Sequence, residues 1–117
     1  MTQLVVCLSS ENPSISYITK LIKDHNWDKI IILNSNPNNP IKKSDNLEII
    51  NINSSKPLIE LANDLKNSLQ GKITDIEVAT NFVSGSGKEH MAIVSALLKL
   101  GLGIRFIALK PNGIEEI

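Results

Sequence analysis

At 117 residues, 42% of them hydrophobic, the chain is long enough for a core of its own, and 1–117 reads as a single domain. Twelve Lys and Arg balance twelve Asp and Glu, which speaks against the cationic surface that duplex nucleic acid needs, and 3% aromatic residues are too few for a stacking platform. A lone cysteine excludes an internal disulfide, no apolar run nears the roughly 20 residues of a membrane helix, and a strand-like run directly after Met1 points to the cytoplasm.

Residues 4–8 (LVVCL) are apolar without interruption, which predicts a parallel strand buried on both faces, with Cys7 as a small apolar filler. In Ser9-Ser10-Glu11-Asn12-Pro13, Asn12 can cap a helix whose first turn suits Pro13, since proline there loses no needed N–H. Ile15, Ile18 and Ile22 share a helical face with Leu21 beside them; this helix is expected to end near His25, with Trp27 packed at its end. Residues 29–33 hold three successive isoleucines and predict a second strand. Residues 34–40 (NSNPNNP) are turn chemistry throughout, and 41–46 add little order. Residues 47–52 predict a third strand. Ser54 or Ser55 then caps a second helix, with Pro57 in its first turn, a stripe of Leu58, Leu61, Leu65 and Leu69, and Gly71 at its end. Residues 75–80 predict a fourth strand, 91–102 a third helix, and 104–109 a fifth strand before a short tail.

Strands alternating with helices predict an α/β fold, a three-layer Rossmann-like sandwich on a mostly parallel five-stranded sheet of order 3-2-1-4-5. In that order the first and fourth strands are neighbours where the winding reverses, and ligands bind outside the carboxyl ends of such strands. The loops expected to meet there are 9–13 and 81–88, both rich in small polar residues.

The stretch 81–91 (NFVSGSGKEHM) ends its loop in Gly-Lys. A nucleotide-hydrolysing phosphate loop needs glycine five positions before that glycine and Ser or Thr after the lysine. Phe82 and Glu89 stand there instead, so that chemistry is excluded. Anion binding needs less. Gly85 and Gly87 permit a loop whose N–H groups converge, the following helix offers its N-terminus, Lys88 adds charge, and Ser84 and Ser86 add hydroxyls. The same spacing also suits a plain strand-to-helix turn with a solvated lysine.

Asn81, Ser84, Gly85, Ser86, Lys88 and Met91, followed by a long apolar helix, resemble the signature of CARF domains (CRISPR-associated Rossmann fold). The Ser9-Ser10 turn is similar to that family's other ligand loop. The resemblance spans nearly the whole chain, on two short motifs. The loop is one residue longer than the family's usual pattern, and Gly87 stands where a hydroxyl residue often precedes the lysine. The resemblance implies a homodimer that binds a nucleotide-derived anion such as a cyclic oligoadenylate across its two-fold axis. Its ligand residues would be Ser9, Ser10, Asn81, Ser84, Gly85, Ser86, Gly87 and Lys88, with no metal and no cofactor. It also implies an alternative, a metal-independent ring nuclease in which the ligand's own 2′-hydroxyl attacks the adjacent phosphate, Ser9 or Ser10 and Lys88 orienting it. No winged-helix or nuclease segment is expected after the fifth strand.

Between Met91 and Leu102 the only charged residue is Lys99. Met91, Val94 and Leu98 fall on one side and Ile93, Leu97 and Leu100 on another, so this helix needs cover beyond its sheet. A second copy is the simplest cover, the 34–46 loop an alternative, and docking of another partner without any ligand a third. His90, in the first turn of the third helix, could approach the ligand but reads first as solvated, as do His25 and the pair Glu115 and Glu116. Glu11 would repel phosphate if it pointed inward. No His, Cys and Asp cluster has metal-ligand spacing.

Overall fold

The computed structural model describes residues 2–117. The chain forms β1 (Gln3–Leu8), α1 (Ile15–Lys23), β2 (Lys29–Asn34), β3 (Leu47–Asn51), α2 (Leu58–Leu69), β4 (Glu77–Asn81), α3 (Gly87–Lys99), β5 (Gly103–Lys110) and β6 (Gly113–Glu116). One sheet of order β3-β2-β1-β4-β5-β6 carries them, with β1 to β5 parallel and β6 antiparallel to β5.

The uninterrupted apolar runs of β1 and β2 follow from cover on both faces. Val5, Cys7, Ile31 and Leu33 pack under α2 and α3, together with Leu61, Leu65, Ile93 and Leu97. Leu4, Val6, Ile30 and Ile32 point the other way, onto Ile18 and Leu21 of α1, where Trp27 is also buried. Successive strand residues thus fill different cores, and neither face can carry a polar alternation. No helix among the described residues is long and apolar enough to cross a membrane.

The sheet has six strands where the sequence predicts five. The supposed tail turns back after Pro111-Asn112, with Gly113 at φ 134°, and Ile114 packs against the core on the α1 side. Arg105 on β5 ties it down, 3.1 Å from Glu116 and 2.7 Å from Glu77. The crossover from β2 to β3 contains no helix. Its asparagines fold back on their own backbone instead: Asn36, Asn38 and Ile41 donate N–H bonds to the side chains of Asn34, Asn36 and Asn39.

Both predicted caps of the first two helices are corrected. Asn12 lies at φ 47° and caps nothing; α1 starts after Ser14, also at φ 47°, and ends at Lys23, short of His25. Pro57 itself precedes α2, and neither Ser54 nor Ser55 caps it. The start of α3 moves furthest. It begins at Gly87, four residues before the predicted Met91, because Ser86 accepts the N–H of Glu89 while the Glu89 carboxylate accepts the N–H of Ser86.

Candidate functional site

The strand order brings the two predicted loops together. β1 lies beside β4, with Val5 opposite Thr80 and Val6 opposite Asn81. Beyond the strand ends, the Ser9 N–H donates to Ser84 Oγ at 3.0 Å and the Gly85 N–H donates to the Glu11 carbonyl at 2.9 Å. Gly85 sits at φ 110°, and a Cβ there would lie 2.8 Å from His90 Nε2 and 2.9 Å from Cys7 Sγ. Only glycine fits both the angle and the space.

At the centre lies a residue that sequence reasoning used only to exclude a phosphate loop. Glu89 is 1% exposed, and its carboxylate gathers donors from three loops. Ser9 Oγ donates to Oε1 at 2.9 Å, Ser35 Oγ to Oε2 at 2.6 Å, and the Ser86 N–H and Oγ to Oε1 at 3.0 and 3.1 Å. No cation pairs with it among the described residues. Burial pushes its pKa upward, but the hydrogen bonds from Ser35, Ser86 and Ser9 outweigh burial and hold the carboxyl below its usual range. The Cys7 thiol beneath is pushed up to about 12, by burial first and by Glu89 second. The Ser-x-x-Glu spacing of residues 86–89 is the signal that could have found this arrangement; Ser35 had none, since its loop is far away in sequence.

The predicted ligand residues therefore divide. Ser9, Ser84, Gly85 and Ser86 come together, with their side chains or backbone engaged in tying the loops and holding Glu89. Asn81 is buried and bridges strands: its Nδ2 donates to the Ile107 carbonyl at 2.7 Å, and its Oδ1 accepts the Val83 N–H at 3.0 Å. Gly87 and Lys88 open α3 and are not in the loop. Lys88 Nζ reaches the Ser54 carbonyl at 2.9 Å, on the loop after β3, away from the serines. Ser10 and Glu11 are exposed on the rim.

His90 faces the other side of the same turn. Its Nε2 lies 2.8 Å from the Ser84 carbonyl, which can only accept, so Nε2 carries the proton. The ring stacks on Phe82 with centroids 4.7 Å apart, and Phe82 meets Phe106 edge-on at 5.6 Å. These rings begin an apolar groove of ≈ 630 Å³ that continues along α3 past Met91, Val94 and Leu98. Met91 is 61% and Leu98 60% exposed, so the 34–46 loop does not cover this face, while Ile93 and Leu97 on the other side are buried. Among the described residues, no group of His, Cys, Asp and Glu could hold a metal ion.

No protein-family model matches the chain, and a search of curated proteins finds no match for it.

Proposed function

We propose that the chain is a Rossmann-like module of the CARF type, which pairs two-fold through the apolar face of α3 and takes a nucleotide-derived ligand between the two copies. One observation carries the reading. The abutting loops after β1 and β4 open beside the exposed face of α3, which starts in the same turn. A two-fold contact along Met91, Val94 and Leu98 removes that apolar surface from water and sets two copies of the loop pair facing each other. The ligand meets the exposed rim of Ser10, Glu11 and Gly87, because Ser9, Ser84 and Ser86 are turned inward onto Glu89 and each other, and Lys88 joins it only by leaving the Ser54 carbonyl. The role is that of a sensor or sequestering module, and slow cleavage of a cyclic oligoadenylate is the enzymatic form of the same site.

A second reading is supported by Glu89: with the inner donors already committed to a carboxylate, the apolar face docks a partner and no ligand is involved. Sedimentation at micromolar concentration and titration with cyclic tetra- and hexa-adenylate separate the two. The expected outcome is a dimer that Met91→Asp with Leu98→Asp converts to a folded monomer, and nucleotide binding that is lost together with the dimer. A monomeric wild type that binds neither nucleotide supports the second reading, a monomer of any kind refutes binding between two copies, and a dimer that binds neither nucleotide refutes the ligand. Incubating any bound cyclic ligand and separating the products decides whether it is cleaved.

A further inference from the structure

In four places an asparagine precedes glycine or serine, the context in which the next backbone nitrogen most easily reaches the carboxamide: Asn34, Asn53 and Asn67 before serine, and Asn112 before glycine. The fold shields three of them. Asn34 is buried; its Oδ1 accepts the Asn36 N–H, and its Nδ2 donates to Asn51 Oδ1 at 3.0 Å. Asn53 Oδ1 accepts both the N–H and the hydroxyl of Ser55. Asn67 lies inside α2, whose backbone N–H groups are bound to carbonyls one turn back. Asn112 has none of this protection. It is exposed in the two-residue turn between β5 and β6, and its carboxamide bonds to nothing among the described residues. Gly113 has no Cβ to hinder approach and stands in open space at φ 134°. It pairs with Lys110 at the end of the β5–β6 ladder, where opening is cheapest.

We infer that Asn112 is a self-modification site, at which the folded chain converts its own asparagine to isoaspartate and thereby loosens β6. The Gly113 nitrogen, losing its proton to water, forms a bond to Cγ of Asn112, and the carboxamide nitrogen leaves as ammonia. The product is a five-membered succinimide. Water then adds to one imide carbonyl and opens the ring, either to aspartate or, with the chain rerouted through the side chain, to isoaspartate. No electrons are transferred, and water is the only co-reactant. Isoaspartate puts an extra methylene into the backbone of a turn whose length sets the register of β5 and β6. It also adds a negative charge to a hairpin that already holds Glu115 and Glu116. Loosening β6 weakens the bond from the Ile117 N–H to the Phe106 carbonyl, 2.9 Å long, at the edge of the apolar groove. None of this depends on a ligand at the loops after β1 and β4.

Incubating the folded full chain at mildly alkaline pH and mapping its peptides by mass spectrometry tests the site. At Asn112 the amide NH2 is expected to be exchanged for OH, largely as isoaspartate, while Asn34, Asn53 and Asn67 convert at least about tenfold more slowly. Conversion of any of those three at a comparable rate, or an unchanged Asn112, overturns the inference. Asn112→Gln would have to close a six-membered ring and is expected to keep its mass over the same period; conversion at the wild-type rate overturns the ring mechanism. The converted protein, separated by anion exchange, is expected to exchange the Ile117 amide hydrogen about tenfold faster than the intact chain. Asn112→Asp adds the charge without the methylene and is expected to stay close to the intact rate. Equal protection in the converted and intact chains, or an equal loss in N112D, overturns the loosening of β6 by the rerouted backbone.

Discussion

No cation among the described residues pairs with Glu89, so its contribution to stability is set by the three serines that hold it. A carboxylate whose pKa is lowered on folding stabilises the fold in full above its unfolded pKa, and that contribution disappears as pH falls through the lower folded value. Replacement by Gln at neutral pH is expected to cost about 1.5–3 kcal/mol, the range for hydrogen bonds to a charged group. Urea unfolding between about pH 6 and about pH 3 should show wild type losing more stability on acidification than E89Q, so that the two curves converge; parallel curves would dismiss Glu89 as the source. Gly85 is the other residue with a decisive local role. Gly85→Ala combines a left-handed φ with a contact under 3.0 Å to Cys7 and His90, and is expected to lower stability by about 2–4 kcal/mol in the same assay.

Among the elements, α3 and α1 begin in opposite ways. α3 has a reciprocal cap, Ser86 with Glu89, and it therefore extends into a stretch whose two glycines read as loop. Gly87 is tolerated because the first turn is held by this cap and because a Cβ there would meet nothing. α1 has no side-chain cap, and two residues without glycine's freedom, Asn12 and Ser14, sit at φ 47° on its approach. Ser14→Gly relieves that strain at the cost of a more flexible unfolded chain, and a net gain of about 0.5 kcal/mol, seen as a higher melting temperature, is expected. A lower melting temperature would mean that the Ser14 conformation carries no strain. The helix cores were legible because their leucines and isoleucines recur at helical spacing; the helix starts were not, since a cap depends on which backbone angles the preceding turn adopts.

Across the whole molecule, the order of the parallel strands, the two-sided burial of β1 and β2 and the meeting of the loops after β1 and β4 were all determined by the sequence itself. Short β-branched runs punctuated by helical stripes leave few ways to bury both faces of a sheet, and right-handed crossovers reduce these further. The separation of α3 into one side with Ile93 and Leu97 and another with Met91 and Leu98 was legible because helical spacing assigns residues to faces, but which side is buried was not. Only the tertiary structure decided what fills the space between the loops. Ser35 approaches Glu89 across 54 positions of sequence and Ser9 across 80, and Lys88 turns to Ser54 on a loop 34 positions away. Local patterns carry the period of an element, but not which polar side chains meet beyond the strand ends. That depends on how neighbouring crossovers are placed on the sheet, and here it puts the chain's own carboxylate where an outside anion was expected.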